Sequence, residues 1–349
     1  MIFASDNWSG ASERVIAALS DAARRGGPAY GDDPLTKAVE KRFGEIFERD
    51  VAVFLVASGT FANLLSLSAY ARPGGIVLAH RESHINVDEA GGAEFATGGS
   101  KILALEAEQG KISPDALSAV LSRPVHGYHS GQITTLSLTQ LTELGAAYSA
   151  AEVAALAKLA RGAGVAVHMD GSRFANAIAT TGATPAEMTW KAGVEVLSFG
   201  GTKNGCIAAE AVVFFDRAQA RDAGFARQRA GQGFSKNWFI ASQLLAYLDG
   251  NHWLELAGHA NAMAGRLADA LRHSGRARLA FEPAGNELFA ILENGLDQKL
   301  RAAGAVYYPW APDSLPVAER PGPGEIMIRL LTSWQTKAAE VERFAALLR

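Results

Sequence analysis

Apolar residues along this chain follow two spacings in turn. Residues 51–57 are continuously apolar, as a strand buried on both faces would be, and FANLLSLSAY at 61–70 then takes up helical spacing. Further short runs of strand character stand at 76–80, 101–105, 134–139, 165–170, 194–200 and 211–215. Helical patterns lie between them or before them, at 12–24 and 35–47, from the Ser113-Pro114 cap, from the Ser149 to Glu152 capping box to about residue 162, and through Asn176. Strands alternating with helices predict an α/β fold, a mainly parallel sheet covered on both sides, whose ligands gather at the carboxyl ends of the strands. From about residue 251 the order changes to a long helix, then strands near 287–292, 305–308 and 325–331, a loop at 309–323 and a closing helix to Arg349. The division expected is a large unit at 1–250, led by an N-terminal arm, and a smaller α+β unit at 251–349.

Composition narrows this picture only in places. With 349 residues and 48% hydrophobic content the chain can bury a large core. Its 33 basic and 36 acidic residues are dispersed, for a net charge of -3, which argues against a nucleic-acid partner or an anionic membrane surface. Cys206 is alone, so no internal disulfide or cysteine metal cluster forms, no metal is expected, and a reducing cytoplasmic setting is the default. The start, MIFASDNWSG, lacks a secretion signal, no apolar run approaches the roughly 20 residues of a membrane span, and the mature chain is expected to begin near Met1.

The chemistry is concentrated where strands end. VEVLSFGGTKNGCI at 194–207 closes a strand in Gly200-Gly201 and puts Lys203 where the chain leaves the sheet. In a cleft, partial dehydration and neighbouring cations would favour the neutral amine, a nucleophile that forms a Schiff base with an aldehyde. Upstream, VAVHMDGSR at 165–173 carries His168 and Asp170 two residues apart, on one face of a strand, with Asp170 at its end before Gly171. A carboxylate so placed holds a pyridinium nitrogen protonated, as pyridoxal phosphate requires to accept electrons. The turn Ser58-Gly59-Thr60, between a strand and a helix, aims amides and a hydroxyl at whatever lies over the helix N-terminus, a phosphate site.

Taken together, SDN at 5–7, YGDDP at 30–34, SGTFAN at 58–63, SHINVDEAGGAEF at 83–95, HMDGSRFANA at 168–177, WKAGVEVLSFGGTKNG at 190–205 and IRLLTSW at 328–334 resemble the threonine aldolases, within the fold-type-I pyridoxal-phosphate enzymes, and most closely their low-specificity bacterial branch. The resemblance implies a seven-stranded sheet and retro-aldol cleavage of an L-β-hydroxy-α-amino acid to glycine and an aldehyde. It implies that Lys203 links to the cofactor, Asp170 pairs with the pyridine nitrogen, His84 stacks on the ring, and Ser58, Gly59 and Thr60 hold the phosphate. Arg173 would lie near the phenolate oxygen and, with Ser5 and Arg329, grip the substrate carboxylate. Tyr30 would border the substrate, and His129 falls where the family has a second active-site histidine. His84, His129 or a water between them would take the β-hydroxyl proton. Arg329 lies among apolar neighbours, where an anionic partner is physically expected. A homodimer or homotetramer with shared sites is implied, with Arg229 or Lys236 reaching a neighbour's phosphate. Ser172 stands where the family has alanine, and Thr139-Gln140 where many members have Glu-Asn. Two other activities fit the same motifs: an aldolase specific for phenylserine, with Trp8 or Tyr30 favouring an aromatic aldehyde, and a β-eliminating aromatic amino-acid lyase.

Overall fold

The computed structural model describes residues 1–123 and 127–349. Seven strands, β1 (Ala52–Val56), β2 (Gly75–His80), β3 (Lys101–Leu105), β4 (Gln132–Thr139), β5 (Ala166–Gly171), β6 (Val196–Gly200) and β7 (Glu210–Phe214), form one sheet in the order β1-β7-β6-β5-β4-β2-β3. The five strands β2 to β6 are mutually parallel and β7 runs against both β6 and β1. All seven lie where the apolar runs predict them, with ends displaced by a residue or two. β6 and β7 are buried at every position and sit inside the sheet, whereas β3, at its edge, exposes Lys101. Helices cover the sheet, and their starts are fixed by side-chain caps: Ser12, Asp33, Ser58, Ser113 and Ser149 each accept an amide hydrogen from the first turn.

A second, antiparallel sheet contains β8 (Ala277–Leu279), β9 (Glu287–Glu293), β10 (Tyr308–Pro309) and β11 (Glu325–Leu331) in the order β10-β11-β9-β8. Three residues of mixed polarity carry too little pattern to announce β8. The strand expected at 305–308 is displaced: Val306 instead bridges Ile2, and β10 begins at Tyr308. The 21-residue helix His252–Arg272 joins the two cores, with Trp253 and Ala257 in the larger and Met263, Ala264 and Leu267 in the smaller.

The N-terminal arm packs with the smaller lobe. Phe3 is buried in that core, its amide donates to the Val306 carbonyl, and its own carbonyl accepts from the Leu331 amide. A cut at residue 250 therefore divides the sequence but not the packing.

Candidate active site

Three turns at the carboxyl ends of β1, β5 and β6 converge on Ser172. A side chain at Gly59 would come 3.6 Å from the Ser172 hydroxyl, and one at Gly200 would meet the Ser172 carbonyl oxygen at 2.5 Å. At Gly201 a side chain would strike the Ala209 carbonyl oxygen at 2.5 Å. Gly200-Gly201 is thus required by backbone against backbone, and the close approach brings Lys203 beside the end of β5. Glu210 completes the turn by accepting from the amides of Gly201 (2.9 Å) and Thr202 (3.3 Å). Asn204 anchors it from below, donating to the Tyr247 hydroxyl and the Trp253 carbonyl. The Lys203 side chain is half-buried and makes no hydrogen bond or ion pair among the described residues. Asp6, Glu210, Glu287 and His84 all sense its charge. Two cations, Arg173 and Arg329, share the site with these acids, paired to Asp6 and Glu287.

Asp170 is buried at 2% exposure and remains an anion. Burial works to raise its pKa, but hydrogen bonds from the Ser172 hydroxyl (2.7 Å) and amide (3.0 Å), nearby His168, and the Asn63 amide group (2.8 Å) together hold it below the usual carboxylate range. Ser172 therefore adds a donor to Asp170 where alanine would give none. His168, on the same strand face, is buried between the hydroxyls of Ser137 (2.9 Å) and Ser198 (3.0 Å), and burial lowers its pKa to about 4, so it is a neutral spacer.

From Asp170 a chain of hydrogen bonds runs to His84. Asn63 donates both amide hydrogens, one to Asp170 and one to Glu89 Oε1 (2.9 Å), and the same Glu89 oxygen lies 2.8 Å from His84 Nδ1. That bond is the main reason the His84 pKa is raised, against the effect of burial. Glu143 holds the His84 amide at 2.7 Å and accepts from the Thr139 hydroxyl at 3.1 Å; burial, then the charge on Asp170, pushes its carboxyl up to about 7.

The opposite wall is built of charges. Arg173 donates through Nε (2.8 Å) and Nη2 (3.1 Å) to the two oxygens of Asp6, and its Nη1 lies 3.4 Å from Glu287. Arg329 lies 3.6 Å from the other Glu287 oxygen, with its guanidinium 4.5 Å from the Trp310 ring centre. Ser5 caps the turn that presents Asp6, accepting from the Asn7 amide.

The helix Gly59–Ser68 begins at the third turn. Ser58 takes the Phe61 amide (3.2 Å) and the Ser58 carbonyl takes that of Ala62, leaving the Gly59 and Thr60 amides without acceptors in the described structure. An anion fits there. An unengaged amine, a buried carboxylate kept ionised, and free amides at a helix start are the donor set for a pyridine aldehyde phosphate. Pyridoxal phosphate thus fits the residues present.

Other residues named from the sequence are not brought here within the chain. His129 is exposed and precedes β4 at the end of that strand remote from Asp170, roughly 25 Å away at about 3.3 Å per residue. Tyr30, 62% exposed with φ 60°, occupies a turn pinned to the Ser235 carbonyl. Trp8, Arg229 and Lys236 are exposed. Asn63, Glu89, Glu143, Glu210 and Glu287 are functional neighbours whose roles no motif in the sequence announces. An isolated acid in an apolar run was the available signal, clearest for Glu210 in CIAAEAVVFF.

The model of the family described as beta-eliminating lyase matches residues 3–293. A low-specificity L-threonine aldolase of Pseudomonas aeruginosa is 37% identical over 98% of this chain and 95% of its own length. Another, from a Pseudomonas species, is 36% identical over 99% of this chain and 96% of its own. The solved threonine aldolase of Leishmania major superposes with a TM-score of 0.91 at 26% identity, covering 99% of this chain and 98% of that one.

Proposed function

From the premise that this chain belongs to the beta-eliminating lyase family, we propose that it is a pyridoxal-phosphate-dependent aldehyde-lyase that cleaves L-threonine, L-allo-threonine and related L-β-hydroxy-α-amino acids to glycine and an aldehyde. The observation that carries this reading is the convergence of Lys203, unpartnered, and Asp170, buried and ionised, at the ends of adjacent strands with His84 between their fields. When bound, pyridoxal phosphate supplies the sink for the electron pair released as the Cα–Cβ bond breaks.

The protein's part is to bind, orient and move a proton. Asp170 would hold the pyridine nitrogen protonated, and Ser58, Gly59 and Thr60 would hold the phosphate. Arg329 and Arg173, with Ser5 beside them, fix the substrate carboxylate, which leaves the β substituent loosely read and accommodates more than one amino acid. With Glu89 2.8 Å from His84 Nδ1, the neutral ring keeps its proton there and offers Nε2 as the base. We assign the β-hydroxyl proton to that nitrogen, directly or through one water.

Lys236, Arg229 and Tyr30, exposed and without a role in their own chain's site, support a homodimer or homotetramer with shared sites. No helix among the described residues is long and apolar enough to cross a membrane. The single, buried and unpaired Cys206 supports a reducing, cytoplasmic setting. The family description itself keeps β-elimination as a second reading.

The test is to supply the cofactor-loaded protein with L-threonine, L-allo-threonine, L-phenylserine and L-tryptophan and analyse the products. Glycine with an aldehyde is expected; pyruvate with ammonia establishes elimination instead. Lys203→Ala is expected to lose both the products and the visible absorbance of the lysine-linked cofactor, and a variant that retains both refutes the assignment.

A further inference from the structure

Four buried or nearly buried charges face one another beside Lys203, and they balance: Asp6 and Glu287 against Arg173 and Arg329. The two acids are held differently. Asp6 is bound by two nitrogens of Arg173 and by Asn286 Nδ2 at 3.1 Å, and these interactions, with the charge of Lys203, outweigh burial and hold its carboxyl below the usual range. Glu287, 1% exposed, stands 3.4 and 3.6 Å from one nitrogen of each arginine, and its Oε2 makes no hydrogen bond. Arg329 Nε is likewise buried without an acceptor. Among the described residues its guanidinium faces Glu287, the Trp310 ring and, at 6.0 Å, the Tyr308 ring, none of which takes a hydrogen bond from it, so it has donors to spare.

On the reading that the two arginines receive an amino acid, the substrate carboxylate is a third anion brought to a cluster already neutral. A surplus buried negative charge is costly and is commonly relieved by protonation. We propose that Glu287 takes up one proton from solvent as the substrate carboxylate docks and returns it when glycine leaves, making it a positioning residue that sets how tightly the clamp holds an amino acid. The charged groups facing Glu287 are Arg173 from the turn after β5, Arg329 from β11, Asp6 from the arm and Lys203 from the turn after β6. Of the acids in this group, Asp6 has both oxygens hydrogen-bonded, whereas Glu287 has a free oxygen to carry a proton. Burial, helped by the charge of Asp6, already raises its carboxyl against the lowering by Arg173, Arg329 and Lys203. Glu143, which acts on Arg173 from the opposite wall, is the competing acceptor.

The experiment is calorimetric titration of the holoenzyme with glycine, near neutral pH, in two buffers of different ionisation enthalpy, with the cofactor spectrum as an independent measure of occupancy. Proton changes at the amine and at Lys203 are common to wild type and Glu287→Gln, so the difference isolates position 287. Wild type is expected to take up more protons per glycine, by a difference approaching about one. The wild-type glycine affinity then falls with rising pH more steeply than that of the variant, by up to about tenfold per pH unit. In the wild type alone, an infrared difference spectrum is expected to gain the carbonyl band of a protonated carboxylic acid on glycine binding. Equal proton counts in the two proteins, or uptake that survives Glu287→Gln and disappears in Glu143→Gln, overturns the proposal, as does absence of the infrared band. Absence of any spectral response to glycine overturns the amino-acid site itself and the proposal with it.

Discussion

The turn that presents Lys203 takes most of its supports from residues 200–210, whereas the charge quartet beside it draws Asp6, Arg173, Glu287 and Arg329 from four separate stretches of chain. In the turn, glycines press against backbone and short hydrogen bonds close the loop. In the quartet, charges stripped of water hold each other. A short connection between two strands closes mostly on itself, with Asn204 tying it to Tyr247 and Trp253, but a guanidinium is worth burying only where carboxylates from elsewhere arrive to meet it. The nucleophile is therefore placed by sterics and the substrate grip by electrostatics, and the two should fail differently.

The strongest challenge to this contrast is Asp6→Ala. Removing Asp6 leaves Arg173 with Glu287 alone, at 3.4 Å, and the buried cluster one negative charge short, and a loss of about 3–5 kcal/mol is expected in denaturant unfolding, with weakened amino-acid binding. Gly201→Ala is expected to cost less, about 1–3 kcal/mol, because the strain of a methyl at 2.5 Å from the Ala209 carbonyl stays local, but to reduce turnover through displacement of Lys203. If the glycine substitution proves the more destabilising, the division between steric and electrostatic support is wrong.

The smallest effect is in pH, where the two regions should weaken at opposite ends. Burial pushes Glu210, in the turn, up to about 7, above its usual 4.5, so the folded chain binds that proton more tightly than the unfolded one. Its contribution is complete below the unfolded value and is lost as pH rises through about 7. Asp6, in the quartet, is lowered, so its contribution is present above the usual carboxylate value and is lost as pH falls through the lowered one. Melting temperature measured against pH is expected to flatten on the alkaline side in Glu210→Gln and on the acid side in Asp6→Asn. Parallel profiles for both variants would remove the distinction.

The same contrast explains what the sequence reveals. The seven strands of the large sheet follow from apolar runs, because burial on both faces writes itself into consecutive residues. Lys203, Asp170 and the Ser58 turn are legible because glycine and small residues mark where strands end. Glu89, Glu143 and Glu287 are not, since an acid drawn into the protein by a distant arginine, histidine or amide is spelled like one in water. Asp6 belongs to the SDN motif at 5–7, yet its role depends on Arg173, 167 positions away. His129 stands three residues before β4, and that spacing alone puts it at the strand's amino end, away from the carboxyl ends where Asp170 and Lys203 lie.

Because Phe3 is fastened to the small lobe and Asp6 to Asn286 on the same side, three of the four charges travel with that lobe while Arg173 stays with the sheet. Any hinge-like displacement of the lobe must therefore pull the quartet apart along a single seam, between Arg173 and its two acids. Within the quartet that seam rests on one guanidinium, beside other links between lobe and sheet such as the Ala284 amide on the Gly145 carbonyl and Asn261 on Asn176, and a reporter group attached near the arm would register its opening.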